Sequence, residues 1–124
     1  MEPIKRLWPV PKNMEGYGLE FFKRTGKQLV SVGILTDLDR DSFSALASAY
    51  NIMMVAQDSI NTLGATVAGS QDEIKKNPSF TTYKMGADIY HRLSKRFYLT
   101  PGDRAGVTIE KPTVKDNGKG KFFG

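Results

Sequence analysis

Two triplets of cations at helical spacing are the side chains of this 124-residue chain best suited to chemistry: Lys23, Arg24 and Lys27, and then Arg92, Lys95 and Arg96. Residues three and four apart share a helix face. Each triplet therefore offers several positive charges to one surface, as contact with a phosphate backbone requires. Lys5, Arg6 and Lys12 form a third set around Trp8, whose indole is a candidate to enter a DNA groove or to stack on a base. For every set the plain alternative is a solvated charged face or a disordered leader. No Asn or Arg pair marks a base-reading helix, so a sequence preference would reside in DNA shape or in the arms.

The other constellations are weaker. Gly64 to Ser70 imitates the spacing of a phosphate loop, but a Ser stands where that loop needs Lys, and a hairpin with glycines at its turns explains the pattern. His91 is the only histidine and there is no cysteine, so neither a thiolate nor a second imidazole can complete a metal site. Asp37, Asp39 and Asp41 suit the first turn of a helix, through its dipole, better than a divalent cation. No catalytic residue, no metal and no cofactor is expected.

The elements that must position these cations follow from periodicity and caps. Pro3, Pro9 and Pro11 interrupt residues 1–15, which read as a flexible basic arm. A first helix is expected from Tyr17 to Val32, with Leu19, Phe22, Leu29 and Val32 apolar, a break at Gly26 and a stop at Gly33. The next signal is Leu-Thr-x-x-Asp-Arg, which occurs at Leu35–Arg40 and again at Leu99–Arg104. In both copies the Thr hydroxyl can accept from the amide three residues on, while the Asp reaches back. The first copy opens a long helix from Thr36 to Leu63, ended by Gly64.

That helix carries Phe43, Leu46, Tyr50, Met53, Gln57 and Ile60 at alternating steps of three and four, with Ile52, Met54 and Val55 on a second flank. So much apolar surface exceeds what a small chain can cover. Phe43, Leu46, Tyr50, Met53, Met54 and Ile60 are thus expected to face neighbouring subunits. Residues 65–76 read as a hairpin turning at Gly69-Ser70, Asn77-Pro78 opens a third helix from Ser79 to Phe97, and Thr100 opens a short fourth. The fold class is mainly α, with three to four helices including one long one, a small β-hairpin and ring-forming assembly. Residues 16–107 would be the helical oligomerisation core and 108–124 a flexible basic tail, in which Phe122 and Phe123 are candidates for docking a partner.

Charge alternates along this layout. Residues 1–33 carry net +3, 34–74 net −5, 75–104 net +5 and 105–124 net +2. One small body can thus present a polyanion-binding face and an acidic face, or stack against copies of itself. With no cysteine and no apolar run longer than Ile52–Ala56, the chain reads as intracellular, neither secreted by the usual route nor membrane-embedded.

Gly33-Ile34-Leu35-Thr36-Asp37-Leu38-Asp39-Arg40 after an aromatic first helix, Tyr50 within the long helix, the Gly64 turn, a polar hairpin, Asn77-Pro78 and Leu99-Thr100-Pro101 with Arg104-Ala105 follow one another in a telling order. In that order they resemble the small terminase subunit of tailed double-stranded DNA phages, in the family found beside an HNH-type endonuclease gene. The resemblance spans about Tyr17 to Val107. Phe21 and Phe22 stand where the family usually has a Trp, and Gly102-Asp103 where it has small serines.

The resemblance implies a non-enzymatic packaging component in the host cytoplasm during virion assembly. Such a subunit would form a ring of about eight to ten copies, bind viral double-stranded DNA, and recruit and regulate the large terminase subunit, which carries the ATPase and nuclease. Two rivals remain: a dimeric helix-turn-helix regulator, disfavoured because a hairpin follows the long helix, and a head or neck adaptor that does not bind DNA.

Overall fold

The computed structural model describes residues 1–69 and 74–105. Their elements are α1 (Gly16–Ser31), α2 (Arg40–Leu63), β1 (Thr66–Ala68), β2 (Ile74–Lys76), α3 (Ser79–Ser94) and a single turn of helix, α4 (Pro101–Arg104). Two 3-10 turns, Asp37–Asp39 and Lys95–Phe97, lead into α2 and extend α3. The fold class is therefore mainly helical with a small hairpin, as the periodicity indicates. Residues 106–124, and with them Phe122 and Phe123 and the end of the expected core at 107, lie outside the described residues, as does Ser70 of the expected turn.

Each boundary has a local cause. Helix α1 ends in a Schellman arrangement: Gly33, at φ 76°, donates its N–H to Val30 O, and Ile34 N–H reaches Leu29 O. At the entrance to α2, the Asp39 carboxylate accepts from Thr36 N–H at 2.8 Å, and the Thr36 hydroxyl donates to the same carboxylate at 3.2 Å. In the second copy of the phrase the Thr100 hydroxyl accepts from Asp103 N–H at 3.2 Å and Pro101 occupies the first helical position. The two phrases are thus helix starts. They head one helix of 24 residues and one of 4.

The core forms where α1 and α2 bring aromatic rings together. Phe21 and Phe22 from α1, Leu35, Phe43 and Leu46 from the α2 region, and Phe97 from the end of α3 are all buried. Phe43 is the centre, with ring centroids of Phe22, Phe97, Phe21 and Trp8 at 5.2, 5.7, 6.1 and 6.4 Å. Tyr50 stacks on Phe21 at 4.7 Å and approaches Tyr90 of α3 at 5.8 Å.

Glycine sets the helix spacing. A Cβ on Gly86 of α3 would lie 3.0 Å from Met53 N and 3.3 Å from Ala49 O, and one on Gly18 of α1 would lie 3.1 Å from Ala47 O. Backbone atoms cannot step aside, so these glycines let α3 and α1 approach α2. Gly86→Ala is expected to push α3 off α2 and cost about 1–3 kcal/mol, the usual penalty for overpacking. A lowered midpoint in thermal or urea unfolding checks it. Asn51 of α2 adds a polar tie, its Oδ1 accepting from Gly18 N–H at 3.0 Å in the first turn of α1.

The hairpin pairs antiparallel, Thr66 with Lys76 and Ala68 with Ile74, and leaves Ile74 exposed. Its tether is Asn77, 2% exposed, whose backbone N–H donates to Ala65 O and whose side chain donates to Gly64 O and accepts from Ser79 N–H, each at 2.9 Å. One buried amide side chain thus closes α2, anchors the hairpin and starts α3.

Candidate nucleic-acid interface

The first ten residues lie against the body instead of extending from it. Ile4 donates its backbone N–H to Leu35 O at 2.8 Å, Pro3 bridges Thr36, and Ile4, Leu7, Trp8, Val10 and Met14 pack on the core. A Cβ on Gly26 would fall 2.7 Å from Leu7 Cδ1, so the missing side chain of Gly26 is the seat of Leu7. The segment expected as a flexible basic arm thus makes tertiary contacts with the body. The apolar residues among the prolines have no periodicity, yet they find partners in Gly26 and Phe43, which only the folded chain brings near. Gly26, read as a helix break, lies inside an unbroken α1.

Docking the arm creates a groove. It has a volume of about 650 Å³ and runs between residues 5–10 and the outer side of α1, lined by Lys5, Arg6, Leu7, Trp8, Pro9, Val10, Lys23, Lys27, Val30 and Ser31. Four of the sequence-predicted cations, from two separate sets, meet there: Lys5, Arg6, Lys23 and Lys27. All four are exposed at the rim. Trp8 is half-buried, resting on Phe43 on one side and lining the groove on another, so it is a fixed wall and not a free wedge.

The remaining cations lie elsewhere. Arg24 places its guanidinium 5.9 Å from the centroid of Phe21, away from the groove lining, and so divides the α1 triplet. Lys12 is exposed and outside the groove lining. Arg92, on α3, and Lys95 and Arg96, in the 3-10 turn that follows, are exposed as a separate set.

The expected subunit interface is partly corrected. Phe43 and Leu46 have no exposed surface and belong to the chain's own core, so they cannot meet a neighbour in this fold. Tyr50 is half-buried against Phe21 and Tyr90, and Met53, Met54 and Ile60 are half-buried. A three-four stripe marks an apolar face without saying whether α1 or another subunit covers it. The exposed apolar side chains of this region are instead Ile52, Val55, Leu63 and Met85.

Among the described residues no group of three His, Asp or Glu side chains is placed to hold a metal ion, and no helix is long and apolar enough to cross a membrane. Asp39 is engaged in its cap, Asp37 and Asp41 are exposed, and His91 is exposed beside Tyr90. Burial raises the Tyr90 phenol above its ordinary value, with Tyr50 adding and Arg24 opposing. A raised folded value contributes stability that is present below the unfolded value near about pH 10 and is lost as pH rises through the folded one. Stability in urea is therefore expected to fall above about pH 10, and to fall less in Tyr90→Phe.

The match to known proteins is decisive on family. The family model described as phage terminase, small subunit, matches residues 18–113, most of the chain. The chain belongs to the phage terminase small-subunit family. No match was found among curated proteins or among solved structures. Membership gives this terminase-family chain a role in phage DNA packaging. The matched region includes Lys23 and Lys27 of the groove, while Lys5, Arg6 and Trp8 precede it.

Proposed function

We propose that the chain is the DNA-binding, non-catalytic subunit of the packaging machinery, and that it grips the phosphate backbone of viral double-stranded DNA with the cations of the groove between its arm and α1. The observation that carries the reading is the convergence of Lys5, Arg6, Lys23 and Lys27 on one groove, in a chain of net charge +5. Exposed cations clustered on one side release counterions from DNA together, which single scattered cations do not. Arg92, Lys95 and Arg96 form a secondary contact.

Assembly multiplies the weak grip of one subunit. Copies of the chain pack through the uncovered apolar side chains Ile52, Val55 and Met85 into a ring of about eight to ten, within which the phosphate contacts of the four groove cations of each subunit add up by avidity. In the host cytoplasm during virion assembly, the ring recruits the large terminase subunit and regulates its ATPase and nuclease.

Light scattering of the full chain, with and without a duplex at low salt, tests this directly. A mass of eight to ten subunits that takes up duplex supports the proposal. A plain dimer that binds duplex favours a transcription regulator, and an assembly that ignores DNA at low salt favours a head or neck adaptor.

A further inference from the structure

The groove has a feature that gripping a duplex does not require: an apolar, aromatic interior. Phosphates along a duplex are met by cations on an open surface, whereas here Leu7, Trp8, Val10 and Val30 line a concavity with Lys5, Arg6, Lys23 and Lys27 around it. Its volume is about 650 Å³ and it is broadly open to solvent, so a ligand would lie along it with one side uncovered. An apolar ring with phosphates attached is the chemistry that matches both parts. Within a DNA strand that combination is accessible where a base is unpaired, because a base paired inside a duplex hides its faces in the stack.

We infer that the groove holds an unpaired nucleotide of single-stranded DNA, its base against Trp8 and its flanking phosphates on the surrounding cations. The inference rests on the DNA-binding reading of the same groove and specifies the form of DNA that fills it. Trp8 is suited to the task because it is held before any ligand arrives: its ring sits 6.4 Å from that of Phe43, and its neighbour Leu7 is seated over Gly26. A stacking platform that is already fixed loses little conformational freedom on binding. Aromatic stacking also tolerates any base.

Trp8 is the only tryptophan in the chain, so its emission reports on this groove alone. The full chain is titrated with a short oligodeoxythymidine and with a blunt duplex of the same length, following tryptophan emission and the anisotropy of labelled DNA together. The single strand is expected to quench Trp8 saturably, while the duplex raises anisotropy with little quenching. Trp8→Leu is expected to weaken single-strand binding by at least about fivefold, the low end of base stacking, and to weaken duplex binding by much less. The wild-type quench needs no variant, so a poorly folded Trp8→Leu leaves the test intact.

Single-strand binding with unaltered Trp8 emission overturns the inference. So does quenching by the blunt duplex to the same extent. Duplex binding that is lost with the groove cations, alongside a Trp8 silent to single strands, overturns the inference alone and leaves the duplex reading standing. Failure to bind either form of DNA at low salt overturns both.

Discussion

Phe43→Ala is expected to remove about 3–5 kcal/mol of stability, the range for truncating a fully buried phenylalanine. The side chain has no exposed surface and its ring lies within 6.4 Å, centroid to centroid, of Trp8, Phe21, Phe22 and Phe97, so no single neighbour can collapse into the space left behind. Small domains are stable by only about 5–15 kcal/mol, which makes the loss a large share of the total. The consequence extends to the groove, because Trp8 loses the ring it rests on. Urea unfolding should show the lowered midpoint, and tryptophan emission a more solvent-exposed indole before the main transition. A loss below about 0.5 kcal/mol, the level of a surface substitution, contradicts the placement of Phe43 in the core and supports a place at a subunit interface.

The second large effect concerns the groove cations. Each phosphate contact contributes about 0.9 to the slope of log affinity against log salt. Between 1 M and 0.1 M salt that is nearly tenfold per contact. Replacing Lys5, Arg6, Lys23 and Lys27 together by glutamine is therefore expected to lower duplex affinity at 0.1 M salt by on the order of a thousandfold per bound subunit. The four side chains are exposed, so the fold should survive their loss. Replacing Arg92, Lys95 and Arg96 by glutamine is expected to cost much less. Equal losses from the two variants would mean that DNA crosses both faces.

The sequence was informative where structure is local. Gly33 as the end of α1, the Thr36 and Thr100 starts, Gly64 after the long helix and Asn77 before α3 each act through hydrogen bonds spanning a few residues, so the residue types themselves announce them. Gly18, Gly26 and Gly86 were not legible in the same way. Inside a helix a glycine reads as a weakness, and its use here depends on a partner far along the chain: Ala47 O, Leu7 and Met53 N. The arm was obscured for the same reason, since prolines mark irregular backbone without revealing whether something lies beneath it.

Of the candidate site, the cations were legible and their grouping was not. Helical spacing joined Arg24 to Lys23 and Lys27, but the packing of α1 turns Arg24 toward Phe21 and leaves the two lysines beside the arm. Lys5 and Arg6 join them because the arm is docked, by Ile4 N–H on Leu35 O on one side of the pair and by Leu7 over Gly26 on the other. The signal that could have suggested this is the pairing of large apolar residues in a basic leader with a glycine amid helical cations.

The claim that these four cations form one phosphate-binding surface is tested most directly by the salt dependence of duplex binding, wild type against the Lys5, Arg6, Lys23 and Lys27 glutamine variant. The slope of log affinity against log salt is expected to become shallower by about 3 to 4 per bound subunit, the sum of four lost contacts. An unchanged slope, with whatever affinity, would contradict the account and place the DNA elsewhere on the molecule.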